Sequence, residues 1–175
     1  NLEETVLGNN LEAAAQNIRN SVPDSNVIAF PCDFSKREDL LALTHYLTQH
    51  QLIVDVLVNN VGGPQPGKVT ELSEGEWERG LDLLFRSTIR LYGMVIPGMI
   101  TRRRGRIINI LSPAAVEPAP MLAISSVVRA ALVNFAKLYA KEVGAHGITV
   151  NSLMPGGFRT ARTEELEREA AARRN

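Results

Sequence analysis

One cysteine, Cys32, stands in a chain of 175 residues. That scarcity excludes an internal disulfide framework and a multi-thiolate metal centre, and it permits a reducing compartment. The lone thiol reads as a small packing hydrophobe. There is no excess of either charge: Lys+Arg and Asp+Glu number 19 each, so no global field draws the chain to nucleic acid or to an anionic membrane. The local run "RRRGR" at 102–106 reads as a solvated helix end. Long apolar runs are missing too, none approaching the roughly 20 residues that span a bilayer. No cleavable signal pattern opens the chain, although it starts at Asn1 rather than at Met, which leaves room for a removed segment. Internal repeats, low-complexity linkers and metal-ligand spacings are absent as well.

What is present is apolar material for one core: 45% hydrophobic and 22% charged residues, at a length that suits one domain over 1–175. Four short apolar runs flanked by turn or polar residues predict buried strands: "NVIAF" (26–30), "VDVLVNN" (54–60), "GRIINIL" (105–111) and "GITVNSL" (147–153). Between them, helical spacing covers 36–51, 73–100 and 121–143, the last closed by Gly144. Ser73 and Glu76 have the spacing of a capping box. Strand–helix alternation predicts an α/β fold, a parallel sheet with right-handed crossovers and helices on both faces. Ligands then bind at the carboxyl ends of the strands. That points to Cys32 and Asp33, to Asn59 through Gly63, to Ser112 and Pro113, and to the segment from Pro155 to Thr160.

Three of these stretches resemble motifs of the short-chain dehydrogenase/reductase family. "DVLVNNVGG" resembles its NNAG motif, "GRIINILS" its active-site serine strand and "KEVGAHGITVNSLMPGGFRT" its VN...PGxxxT segment, in the family's order and at its separations. The nearest branch is the 3-oxoacyl-(acyl carrier protein) reductases. The resemblance implies a Rossmann-like doubly wound parallel sheet and an NADP or NAD cofactor, with a slight lean to NADP. It further implies a small carbonyl or alcohol substrate, a cytoplasmic location, and no nucleic-acid or membrane partner. It assigns Asp33 to the adenine edge, Asn59 and Gly62 to the wall beside the adenosine ribose, and Pro155, Gly156 and Thr160 to the nicotinamide end. Each has a plainer reading: Asn59 as a tie between strands, Gly62 as a turn glycine, Pro155-Gly156 as an ordinary turn pair.

The departures from the family pattern are equally specific. A TGxxxGxG turn, which in the family holds the pyrophosphate at a helix N-terminus, does not occur in these residues. The chain reads as beginning near the family's second strand, at "TVLG", and as lacking the first and last strands, which suggests a piece of a longer protein. Asn9 and Asn10 fall where cofactor choice is ordinarily read. In the family a tyrosine moves the proton, a lysine lowers its pKa and binds ribose, a serine binds the substrate oxygen and an asparagine holds a relay water. Here Ser112 keeps the serine, Ser125 replaces the tyrosine, Arg129 the lysine and Leu84 the asparagine. Serine lacks a phenol's ionisation near pH 10, and arginine keeps the charge but exchanges no proton.

Ser125 and Arg129 share a helix face at i and i+4, so two functions stay open. One is an oxidoreductase working through Ser112, Ser125 and Arg129, with Arg129 also on the cofactor. The other is a non-catalytic dinucleotide-fold protein that binds a ligand or serves as a scaffold. The helices at 73–100 and 121–143 carry apolar residues beyond one stripe, and the family pairs them across a two-fold axis, which implies a homodimer or homotetramer.

Overall fold

The computed structural model describes residues 2–156. Its elements are α1 (Leu2–Ser21), α2 (Arg37–Gln49), β1 (Val56–Asn59), α3 (Glu74–Leu81), a π-helical turn (Asp82–Arg86), α4 (Ser87–Arg102), β2 (Gly105–Ile110), α5 (Ala123–Val143) and β3 (Ile148–Leu153). The strands form a parallel sheet in the order β1-β2-β3. Val56 lies opposite Arg106, and Gly105 opposite Ile148. The α/β fold with a parallel sheet is therefore the one the alternation predicts.

Two expected strands do not form. Residues 26–30 form neither strand nor helix, and "TVLG" lies inside α1. The physical reason is shared: a strand exists only where its N–H and C=O groups meet a neighbour. Among the described residues nothing pairs with the outer edge of β1. Without that neighbour, the Leu, Glu, Ala and Gln of residues 2–16 take the local bonding of a helix.

The strands show alternate burial. Asn59, Ile107, Asn109 and Ile148 are buried on one face, where α4 and α5 pack, whereas Val56, Val58 and Leu153 are more than half exposed on the other. Among the described residues helices thus cover one face of the sheet, not both. The core has two parts. Tyr92, Val95, Ile96, Met99, Ile107, Val143 and Ile148 pack near the amino ends of the strands, and Val61, Leu84, Leu111, Ile124, Val128 and Leu132 pack under their carboxyl ends. By length and composition α5 and the turn after it could cross a bilayer, more than the sequence reading allowed. Its inward side, however, is core and carries the buried Arg129.

Local signals mostly hold. Glu76 accepts from the Ser73 N–H (2.7 Å) and hydroxyl (2.6 Å), closing the capping box, and these hydrogen bonds hold its carboxyl below the usual range. The arginine cluster ends α4 as expected, and it also fastens the sheet's lower edge. Arg102 donates to Val54 O (2.9 Å), Arg103 to Ala145 O (3.0 Å) and Arg106 to Gly147 O (3.0 Å).

α5 ends at its C-cap Gly144, as expected, and the left-handed glycine comes one 3₁₀ turn later, at Gly147. Gly144 keeps right-handed backbone (φ −57°), while Gly147 turns left-handed at φ +71°. A Cβ on Gly147 would also sit 2.6 Å from Arg103 O. Gly147→Ala should therefore destabilise the chain by about 1–2 kcal/mol from the left-handed backbone alone, with the carbonyl contact adding to it. A fall in urea midpoint at unchanged m-value checks this.

Candidate active site

The carboxyl ends of the strands lie above the second core cluster, and Arg129 joins the ends of β1 and β2. α5 is amphipathic, and Arg129 sits on its inward side between Val128 and Leu132, only 7% exposed. Its Nη1 donates to Ile110 O at the end of β2 (3.1 Å), its Nη2 to Val61 O just past β1 (3.1 Å) and its Nε to Ser125 Oγ one turn earlier (3.1 Å). Burial pushes the guanidinium pKa down from its ordinary value. The i, i+4 pair is thus a real contact, and the guanidinium works as a clamp on the main chain.

Ser112 follows β2 directly. It starts a short 3₁₀ turn, Pro113–Ala115, and its hydroxyl accepts from the Ala114 N–H at 3.2 Å. Ser125 is buried at 7% exposure with Arg129 as its hydrogen-bond donor. Leu84, at the position of the relay asparagine, is 1% exposed and packs among Val61, Leu111, Ile124, Val128 and Leu132. It lies within the π-helical turn, a local widening of the helix that often accompanies functional sites. Here that widening brings a hydrocarbon side chain into the core.

Asn59 follows its plainer reading, as a tie between elements. Its Nδ2 donates to Thr88 Oγ1 (2.9 Å) and to Asn109 Oδ1 (3.2 Å), while Thr88 Oγ1 donates to Leu84 O (2.7 Å). Asn109 Nδ2 in turn donates to the hydroxyl of Tyr92 at 2.8 Å. Burial raises the Tyr92 phenol pKa, against the lowering effect of the Asn109 bond. Sequence reading passed over Asn109 and Thr88, and gave Tyr92 a packing role in its helix, which its full burial matches. The available signal was an asparagine at an inward position of an otherwise apolar strand, since buried amides require partners. Replacing Asn109 by Leu leaves Tyr92 without its donor and Asn59 with one acceptor fewer. The expected cost is about 1–3 kcal/mol in chemical denaturation, with little change expected from Asn109→Gln if its longer amide reaches the same groups.

Asp33 is exposed and accepts from both the N–H (2.9 Å) and the hydroxyl (2.7 Å) of Ser35. Partial burial acts to raise its pKa. The Ser35 bonds and Lys36 outweigh that, so the carboxyl titrates below its ordinary value. Asp33 and Gly63 line one cavity of about 340 Å³, together with Ser35, Gln65, Glu76 and Arg79. The turn after residues 26–30 and the loop after β1 therefore lie side by side even without the expected ladder.

These residues fit a flat polar cofactor in part. A Cβ built on Gly62, Gly63 or Gly156 meets nothing within 4 Å, so the loops after β1 and β3 leave room for a close approach. Asn59 Oδ1 is buried without a partner, an acceptor left open beside that loop. Pro155 and Gly156 follow β3 as expected. Thr160 lies outside the described residues, and Asn9 and Asn10 fall in α1 rather than at a strand end.

A family model described as short chain dehydrogenase matches residues 5–171. The chain is 33% identical over 132 residues to the 3-oxoacyl-[acyl-carrier-protein] reductase FabG of Vibrio cholerae, covering 75% of this chain and 54% of that protein. In structure it resembles the L-sorbose reductase of Gluconobacter frateurii, solved with NADPH and L-sorbose (TM-score 0.84, 29% identity, 93% of this chain and 61% of that one). It also resembles a 3-oxoacyl-[acyl-carrier protein] reductase of Brucella melitensis with bound NAD (TM-score 0.77, 27% identity, 90% and 61%). The chain thus spans little more than half the length of the proteins it matches.

Proposed function

The chain belongs to the short-chain dehydrogenase family, and we propose on that premise that it is part of a nicotinamide-dependent oxidoreductase in which turnover is slow. The observation that carries this reading is the commitment of Arg129 to Ile110 O, Val61 O and Ser125 Oγ. It keeps a positive charge under the strand ends, as a site for a negatively charged cofactor requires, while offering no group that exchanges a proton. When bound, the cofactor supplies the hydride for carbonyl reduction. Asp33, Gly62, Pro155 and Gly156 would line its path, with Asn59 holding the strands beside it and Arg129 beneath, and the family motif assigns Thr160 to the same nicotinamide end.

Ser112 then binds the substrate oxygen, and Ser125 is the one hydroxyl that could replace the missing phenol. NADP is favoured slightly over NAD, and the substrate is a small carbonyl or alcohol, with 3-oxoacyl compounds first among them. The protein works in the cytoplasm, without nucleic acid or membrane. The same commitment of Arg129 also favours a second reading, a dinucleotide-fold binder or scaffold without turnover. Nicotinamide fluorescence on the full-length protein separates the two from a fold that binds nothing. Absorbance loss with a panel of ketones and 3-oxoacyl thioesters separates them from each other.

For assembly we propose a homodimer or a dimer of dimers through α4 and α5. The outward sides of these helices expose Ile89 (40%), Val127 (54%) and Leu138 (59%), a stripe of the kind that marks an interface. Light scattering should give at least twice the monomer mass at micromolar concentration, and Val127→Glu with Leu138→Glu should return the protein to a monomer.

A further inference from the structure

Away from the strand ends, α2 and α4 lie side by side with a groove between them. At its upper end a cavity of about 270 Å³ is lined by Arg37, Leu40, Leu41, Thr44, Arg90, Gly93 and Met94. A second cavity of about 270 Å³ shares Thr44 and Met94 with the first and continues downward along Leu47 and Val95 to Arg102. The two adjoin at Thr44 and Met94; the upper one is walled by Leu40, Leu41 and Met94 with Arg37 and Arg90 at its head, and the lower one is mixed, with Thr48 and Gln51 beside Leu47. Gly93, where a built Cβ meets nothing within 4 Å, keeps α4 from filling it.

The charges at the head are not balanced. Arg90 Nη1 is buried and has no hydrogen-bond partner. Among the described residues neither Arg37 nor Arg90 forms an ion pair. A buried guanidinium N–H without an acceptor is costly, and exposed Arg37 lines the same cavity, so the head carries two cations and no anion of its own. Their planar donor forks match the two oxygens of a carboxylate.

We propose that this groove binds an amphipathic carboxylate, of the class of medium-chain alkyl acids. The carboxylate lies between Arg37 and Arg90, and the alkyl chain runs over Leu40, Met94 and Leu47. Charge complementarity fixes the head and the apolar floor receives the tail. The site lies between helices on the flank of the sheet, separate from Ser112, Ser125 and Arg129, and does not depend on whether the protein turns over.

Calorimetric titration with decanoate, kept below its micelle concentration, tests this on the full-length protein. Binding should saturate at one site per chain, and Arg90→Met or Arg37→Met should weaken it about ten- to a hundredfold, the effect of losing one charge-assisted interaction. Met94→Glu places a like charge under the tail and should weaken it as well. Decanol, which keeps the tail but lacks the charge, should bind far more weakly, and acetate, which keeps the charge but lacks the tail, should do the same. Equal binding of acetate, or undiminished decanoate binding by folded Arg90→Met and Arg37→Met proteins, would overturn the proposal. So would variants that only change the oligomeric state while binding decanoate as before. Circular dichroism of each variant confirms that it is folded before the comparison is made.

Discussion

Arg129→Met should destabilise the protein by about 2–4 kcal/mol, from two main-chain carbonyls left unsatisfied at about 1–3 kcal/mol each. Methionine keeps the apolar stem in place of the arginine's methylenes, and what it removes is the guanidinium fork with its hydrogen bonds. The carbonyls of Val61 and Ile110 both lose a cationic donor at 3.1 Å, and both lie at strand ends against the second core cluster. Buried carbonyls left without donors carry the full desolvation penalty, which exceeds the net worth of a made bond. Arg129→Lys should cost less, since an ammonium can still reach one of the carbonyls, but it cannot match the three-way fork. Urea denaturation of the two variants gives the ordering. A loss below about 1 kcal/mol for Arg129→Met would mean that water enters and satisfies both carbonyls, and Arg129 would then not be the clamp described.

The clamp also shows where sequence reading reached its limit. The helical face shared by Ser125 and Arg129 follows from i, i+4 geometry, and their contact at 3.1 Å is its direct consequence. The direction of the guanidinium does not follow. It depends on where the ends of β1 and β2 lie in space, and spacing along one helix carries no information about that. The same division holds elsewhere. β2, β3, α2, α5 and the Ser73 cap were legible because periodicity and capping are local properties. Residues 26–30 had the composition of a strand, but composition cannot supply the neighbour that a strand needs. Asn59 could be read as a cofactor residue or as a tie between strands, and its Nδ2 bonds to Thr88 and Asn109, which spacing cannot foresee, carry the second role while its Oδ1 stays open.

Restoring the family's proton-transfer pair should raise carbonyl reduction by the full-length protein about 10²–10⁴-fold, the typical contribution of a positioned general acid. The pair must be restored together, for a reason visible in the packing. Ser125 is 7% exposed with the Arg129 Nε 3.1 Å from its hydroxyl, so Ser125→Tyr alone drives a ring toward an arginine that is fixed by two carbonyls. Overpacking of that kind typically costs about 1–3 kcal/mol. Arg129→Lys removes the planar group and leaves an ammonium that can lower the phenol's pKa. The double variant should therefore be more stable than the sum of the single changes predicts, a coupling expected between residues in contact. Adding Leu84→Asn should reduce stability, because that side chain is 1% exposed among aliphatic neighbours and an amide there lacks a matching partner. NADPH consumption with a 3-oxoacyl thioester measures the gain, and its pH profile should show a new group titrating below a free phenol. If the unaltered protein already reduces such substrates briskly, and Ser112→Ala or a folded Arg129→Ala abolishes that activity, then a serine beside an arginine is itself a working site and the slow-turnover reading is wrong.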